Sequence, residues 1–216
     1  MGFYSIVAFF QKGGLFMYPI LLVFAVGMAI VFERWVQLNR IRSANHKMWD
    51  QLQPVLVKGE FDKARQMTKK DKSSMAQMLG MGLARQGAVR RREDIEIAME
   101  ESMMEIIPQL EKRTPYVALL SNIATLLGLL GTIMGLIEAF TAVANANPAE
   151  KADLLSASIS VAMNTTAFGL MSAIPLLLLH AKLTSTTGQI VDSLEMASVK
   201  ALNTISNFTK RQFDRN

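Results

Sequence analysis

The 216-residue chain is half apolar, yet 19% of its residues are charged and its formal net charge is +5. It contains no cysteine, which excludes a disulfide framework or a thiolate metal site, and it lacks the GxxxxGK[ST], HExxH and GxGxxG motifs. Apolar and charged residues fall into separate blocks, whereas a soluble core would mix them along the chain. We therefore expect an all-α membrane protein with no cofactor, no metal and no catalytic residues.

Three apolar blocks predict three transmembrane helices. Residues 14–32 carry no charge and are followed by Glu33. Residues 116–143 carry the single charge of Glu138, and residues 154–179 carry none. A bilayer core needs about 20 helical residues, and each block is long enough. A secretory signal peptide is the alternative for the first block, but no small-residue cleavage site precedes Glu33.

Basic residues predict the orientation of these spans. Residues 33–115 hold 16 Lys and Arg, and residues 180–216 hold five more. Because Lys and Arg mark the cytoplasmic side, both segments are expected inside the cell. The amphipathic segment 1–13 and the short loop 144–153 are then outside, with the N-terminus out and the C-terminus in.

The cytoplasmic segments read as helical rather than disordered. Apolar residues recur at helical spacing in 33–115, with a turn at Lys58–Glu60 and a helix cap at Ser73 or Ser74. A long helical pattern follows, which Pro108 and Pro115 should bend near the membrane. The tail 180–216 keeps the same spacing and is expected to continue the third span.

Small and hydroxyl-bearing residues form a stripe on each of the last two spans. The steps of three and four residues place each set on one helical face. The stripe in 116–143 consists of Ser121, Thr125, Gly128, Thr132 and Gly135. The stripe in 154–179 consists of Ser158, Ala162, Thr166, Gly169 and Ala173, with Asn164 and Thr165 beside it.

Two interpretations of the stripes remain open. Small residues let membrane helices approach closely, so the glycines Gly128, Gly131, Gly135 and Gly169 would serve helix packing. Hydroxyls can also support a water chain or partly replace an ion's hydration shell, which makes the polar members candidates for an ion pathway. The candidate pathway residues are Ser121, Thr125, Thr132, Ser158, Asn164, Thr165 and Thr166. Glu138 is expected to be interfacial, with a role in ion access as the alternative.

Two motifs resemble the ExbB/TolQ proteins, with the MotA flagellar stators as more distant relatives. Residues 127–135, LGLLGTIMG, resemble their second-helix motif, and residues 165–170 with 173–175, TTAFGL and AIP, resemble their third-helix motif. The order of spans, loop and tail is similar too, and the resemblance covers nearly the whole chain.

The resemblance implies a subunit of an ion-driven motor in the bacterial inner membrane. It implies a homopentamer around a single-span partner dimer of the ExbD, TolR or MotB kind, which supplies a transmembrane Asp. Thr132 and Thr166 match the family's second- and third-helix threonines, which are implicated in the ion path. Proton flow would then drive work on the envelope, such as TonB-dependent transport with a TonB-like protein as a further partner.

One departure from the pattern concerns the ion. Many ExbB and TolQ chains carry Glu five residues before the third-helix threonine, where this chain has Val161. The double threonine Thr165–Thr166 resembles some sodium-driven relatives, so sodium is the alternative to protons. A non-conducting membrane scaffold is the alternative function, whereas an enzyme lacks a plausible nucleophile and base, since neither His lies in the stripes.

Overall fold

The computed structural model describes residues 14–86 and 92–213, and the side chains as far as residue 208. The predicted outer segment 1–13 lies outside the described residues. Six helices follow one another in the described ranges. They are α1 (Met17–Val57), α2 (Phe61–Lys70), α3 (Ser74–Arg85), α4 (Arg92–Glu111), α5 (Thr114–Asn145) and α6 (Lys151–Phe213).

Three stretches of the described chain are long and apolar enough to cross a membrane, which confirms the predicted all-α membrane fold. They lie in α1, in α4 with α5, and in α6. Helix α1 runs 25 residues past the predicted first span 14–32 without a break. Helix α6 joins the predicted third span and the tail in a single helix of 63 residues.

The chain divides into two compact units. The first, which we call the membrane unit, comprises the described residues up to Arg34 together with Arg113–Lys182. The second, the polar unit, comprises Trp35–Lys112 and the described residues from Leu183 onward. Helices α1 and α6 each contribute one part to each unit. Each of these two helices therefore has one segment in the membrane unit and one in the polar unit.

Local signals in the sequence set the helix ends within the polar unit. The turn at Lys58–Glu60 lies between α1 and α2, and Gly59 adopts φ +76° there, a conformation that favours glycine. Ser73 caps α3, since its hydroxyl accepts a hydrogen bond from the Ala76 amide at 3.2 Å. The buried Asn45 side chain of α1 accepts from the Met75 amide at 3.0 Å, which satisfies another free donor of the first turn.

The bend expected near the membrane is a short break between two helices. Helix α4 contains Pro108 and ends at Glu111, and α5 starts again at Thr114 with Pro115 in its first turn. Proline suits this position because the amide it lacks would have no partner there. Arg113, which precedes α5, adopts the left-handed conformation at φ 66°, so the chain changes direction at this residue.

Candidate functional site

Helices α5 and α6 lie antiparallel in the membrane unit and touch through their backbones. A Cβ placed on Gly169 would lie 2.8 Å from the Ala124 carbonyl oxygen and 2.9 Å from the Gly128 Cα. A Cβ placed on Gly128 would in turn lie 3.2 Å from the Gly169 Cα. A side chain at Gly169 would clash with the α5 backbone, and one at Gly128 would press against the α6 backbone, so these two glycines allow the helices their close approach.

The same seam brings together the two threonines singled out from the sequence. The hydroxyls of Thr132 and Thr166 are hydrogen-bonded to each other. The Thr166 hydroxyl also lies 3.1 Å from the Gly128 carbonyl oxygen, and the Thr132 hydroxyl lies 3.2 Å from that of Ala162. Both threonines are half-buried, so the pair is neither sealed in the seam nor fully open.

This hydroxyl pair has more acceptors than protons. Each hydroxyl carries one proton and can accept two hydrogen bonds, while each carbonyl oxygen only accepts. Thr132 has two carbonyls within reach, since the Gly128 oxygen lies at 3.3 Å and the Ala162 oxygen at 3.2 Å. Rotation of the Thr132 hydroxyl can therefore move its hydrogen bond from one carbonyl oxygen to the other. A water or cation could then bind the lone pairs of the oxygen atom that has lost its hydrogen bond.

Other members of the stripe on α5 differ in burial. Ser121 is fully buried, and its hydroxyl donates to the Ala173 carbonyl of α6 at 2.8 Å. Thr125 is exposed and bonds back to the Ser121 carbonyl of its own helix at 3.2 Å. Gly135 faces Ala162, whose Cβ would lie 3.0 Å from a Cβ added to the glycine. Ser121 thus links the two helices, whereas Thr125 does not.

The neighbours of Thr166 on α6 also take different positions. Thr165 is almost fully buried, bonds back to the Val161 carbonyl at 3.0 Å, and packs its methyl group against Gly131. Asn164 and Ser158 are half-buried. The structure thus separates the adjacent threonines, because one packs into the helix contact and the other joins the hydroxyl pair. The roles of these three residues in a pathway stay predictions.

Glu138 lies on α5, six residues beyond Thr132 and outside the hydroxyl pair. Its side chain is exposed. Both an interfacial position and a role in ion access remain predictions for this carboxylate.

A charged cluster that the sequence patterns did not indicate lies within the membrane unit and comprises Glu33, Arg34 and Arg113. Arg113 donates to both carboxylate oxygens of Glu33, at 2.6 and 2.7 Å. Arg34, beside them, is only 1% exposed, and this burial lowers its pKa, while the Glu33 carboxylate acts in the opposite direction. The signal available in sequence was the Glu33–Arg34 pair at the end of an apolar block, but a guanidinium there is expected to extend toward water.

Comparisons with known proteins agree with this architecture. The sequence pattern of the MotA/TolQ/ExbB proton channel family matches residues 70–196. A Tol-Pal system protein TolQ of Haemophilus influenzae is 34% identical over 86 residues, which is 40% of this chain and 37% of the relative. An ExbB-like biopolymer transport protein of Synechocystis is 28% identical over 190 residues, 85% of this chain and 72% of the relative. An ExbB homologue of Methanothermobacter thermautotrophicus is 25% identical over 196 residues, which is 90% of this chain and 68% of the relative.

The match to the family covers more than half of the sequence and includes both threonine motifs. The chain therefore belongs to the MotA/TolQ/ExbB proton channel family, a family of multi-pass inner-membrane transport subunits. It spans only about a third of the length of the TolQ relative, and about two thirds or more of the two ExbB relatives.

Proposed function

We propose that this protein is the ion-channel subunit of an ExbB–ExbD or TolQ–TolR type of motor. Proton flow past the subunit, with sodium as the alternative ion, is coupled to mechanical work on the cell envelope, such as TonB-dependent transport. The chain assembles as a homopentamer in the inner membrane, with its N-terminus outside and its C-terminus inside.

The hydroxyl pair of Thr132 and Thr166 is the observation that carries this proposal. Polar groups within apolar spans are costly and usually face protein or water. These two are bonded across the seam but remain half-buried, so part of each side chain stays accessible to something outside the protomer. In an assembly of several copies of the chain, the Thr132 and Thr166 hydroxyls of each copy would together line a path for the ion.

A partner has to supply the titrating group on this path. The sequence of spans 14–32 and 154–179 contains no carboxylate, and Glu138 in the remaining span lies away from the hydroxyl pair. Proton relays in membranes generally use Asp, Glu or His. A single-span partner dimer that carries a transmembrane Asp would place its carboxylate against the threonines.

Replacement of each threonine by valine tests the pathway. Valine keeps the branched shape of threonine but removes the hydroxyl, so Thr132→Val and Thr166→Val should preserve the seam. Loss of a hydrogen bond that leaves its partner unsatisfied costs about 1–3 kcal/mol, which corresponds to about a 5- to 150-fold fall in ion flux if the bond acts at the barrier. The measurement is cytoplasmic acidification after an external acid pulse, in cells that express the chain with its single-span partner.

Thr141→Val is the matched control. Thr141 is exposed on the same helix, and its hydroxyl bonds back to the Ile137 carbonyl at 2.8 Å, as the Thr132 hydroxyl does toward Gly128. Its replacement should leave the flux unchanged. Normal flux in both Thr132→Val and Thr166→Val would reject the pathway. A parallel measurement of cytoplasmic sodium under an inward sodium gradient would identify the ion.

The backbone contact between Gly128 and Gly169 favours a second candidate, a non-conducting scaffold. In that case the stripes only hold helices together, and the hydroxyls contribute to packing alone. The scaffold predicts that threonine-to-valine variants keep all function, while a leucine at Gly128 abolishes assembly. The flux assay above separates the two candidates.

A further inference from the structure

Each long helix of the membrane unit has a cation at the end that lies opposite the loop 144–153. Helix α1 leaves this unit at Arg34, α5 enters it at Arg113, and α6 leaves it at Lys182. The sequence of the unit contains four carboxylates, but three of them lie on the side of the loop, so that Glu33 alone is found at this end. Three cations against one carboxylate leave the end with an excess of positive charge.

The guanidinium of Arg113 is only partly occupied by the protein. It donates to the two oxygens of Glu33 through Nη1 alone, at 2.6 and 2.7 Å. Its Nη2 and Nε have no acceptor in the part of the chain that the structure describes. A guanidinium presents its donors in a planar fork that matches the oxygens of a phosphate. Since the Arg113 side chain is 49% exposed, this free edge is accessible to a ligand.

Two buried polar groups beside Arg113 favour an anion at the same level. Arg34 is buried next to Glu33 and Arg113, so water solvates its charge poorly, and the two guanidiniums outnumber the one carboxylate. The Thr114 hydroxyl is also buried, and it has no hydrogen-bond partner among the described residues. A bound anion would balance the excess charge. It would also provide an acceptor for this hydroxyl, either directly or through a water.

The surface around the charged cluster has the character of a membrane boundary. Phe32, on the membrane side of Glu33, is 67% exposed, and Leu119 of α5 is 50% exposed. Tyr116, which is exposed three residues before Leu119, has the amphipathic ring typical of the headgroup level. A free phosphate would contact the charges alone, whereas a phospholipid would also place its acyl chains on these apolar side chains. The surface therefore fits an amphiphile with an anionic headgroup.

We propose that Arg113 and Arg34 bind the phosphate group of an anionic phospholipid. The Nη2 and Nε groups of Arg113 donate to the phosphate oxygens, and Arg34 contributes its charge from the interior of the protein. Glu33 holds Arg113 in place but also limits the affinity, because its carboxylate repels the phosphate. The site requires only that the apolar spans lie in a bilayer, so it does not rest on the ion pathway. In the orientation proposed above, the lipid belongs to the cytoplasmic leaflet.

Native mass spectrometry of the full-length protein in detergent tests this site. The protein is titrated with dioleoylphosphatidylglycerol and, in parallel, with dioleoylphosphatidylcholine, whose headgroup is zwitterionic. We expect tighter binding of the phosphatidylglycerol. Arg113→Gln should weaken this binding by at least about tenfold, the loss expected when a hydrogen bond between charged groups is removed.

Two further variants separate a specific site from a general attraction to basic residues. Arg40→Gln removes a charge from an exposed position of α1, six residues beyond Arg34, and should leave the affinity nearly unchanged. Glu33→Gln removes the carboxylate that repels the phosphate, so it should strengthen the binding of phosphatidylglycerol several-fold. A purely structural role of the Glu33 and Arg113 pair predicts no such gain.

Each other outcome overturns the proposal. Equal binding of the two lipids, equal losses in Arg40→Gln and Arg113→Gln, or no gain in Glu33→Gln would show that the cluster does not select an anionic lipid. Displacement of the phosphatidylglycerol by ammonium phosphate would indicate a site for a free anion instead. The flux assay is independent of this result. Selective lipid binding with normal flux in the valine variants would keep the lipid site and reject the pathway, and the reverse result would reject only the lipid site.

Discussion

The two units of this protein hold their helices together by different means. In the membrane unit the buried positions of α5 and α6 are mostly small residues, and the helices touch at glycine. In the polar unit the buried positions are mostly large apolar side chains. The most buried of these include Leu38, Leu52, Leu56, Met78, Leu79, Leu83, Met99, Leu110, Ile190 and Leu194.

The surrounding solvent explains this difference. In water, burial of a large apolar side chain is itself stabilising, at about 25 cal/mol per Å². In lipid that gain is absent, so helix association depends on close packing and on hydrogen bonds between helices. Helix α6 belongs to both units, and its buried residues change from mostly small ones between Ala162 and Ala173 to several large apolar ones from Leu183 onward.

The largest effect is expected where the backbones touch. Gly169→Leu places a side chain on atoms that belong to the α5 backbone and cannot move aside. We expect loss of the folded membrane unit, seen as aggregation in size-exclusion chromatography of the detergent-solubilised protein. Gly188→Ala is the control, because a Cβ at Gly188 meets nothing within 4 Å, and this helical site should become more stable by up to about 1 kcal/mol.

A cavity in the polar unit should have the next largest effect. Leu194 on α6 is completely buried, so Leu194→Ala should destabilise the protein by about 2–5 kcal/mol. Met81→Ala, at a site 46% exposed, should change stability by no more than about 0.5 kcal/mol. Denaturant unfolding followed by circular dichroism measures both, and similar values for the two variants would contradict the assignment of Leu194 to the core.

A smaller effect is expected at the buried serine of the membrane unit. Ser121→Ala removes the hydrogen bond to the Ala173 carbonyl and should cost about 1 kcal/mol. Thr125→Ala should cost less, because the Thr125 hydroxyl is exposed and bonds only within its own helix. Thermal unfolding in detergent ranks the two variants, and a larger loss for Thr125→Ala would reject a role for Ser121 in joining the helices.

The smallest effect is expected at the ion pair of Glu33 and Arg113. Both side chains are nearly half exposed, so the pair contributes no more than about 0.5–1 kcal/mol. Glu33→Gln should lower thermal stability slightly, and the difference from the native protein should shrink at high salt because exposed charges are screened. A loss that is independent of salt would show that the carboxylate acts mainly through the buried Arg34.

Much of the fold could be predicted from the sequence because the signals are local. Three apolar blocks of sufficient length predict three spans, and the Ser73 cap and the turn at Gly59 follow from short-range chemistry. The continuity of α1 beyond its apolar block was less evident. A 41-residue helix with Pro54 inside it reads as two segments until its neighbours are known.

Part of the candidate site was also predictable. Periodicity placed Thr132 and Thr166 on stripes of their helices, and the motifs around them indicated the family. Periodicity placed Thr165 only beside this stripe and did not predict that Thr165 packs into the helix contact, because adjacent residues on a helix differ by only about 100° and either could face the seam. It also gave no reason to expect Arg34 to be buried.

The sequence by itself determined which segments can lie in a membrane, since length and hydropathy belong to each segment alone. It also determined which faces of the spans bear hydroxyls. The pairing of Thr132 with Thr166 was decided only by the tertiary structure, because it depends on the register between α5 and α6. That register follows from backbone contact at Gly128 and Gly169, a property of two helices together that neither one specifies.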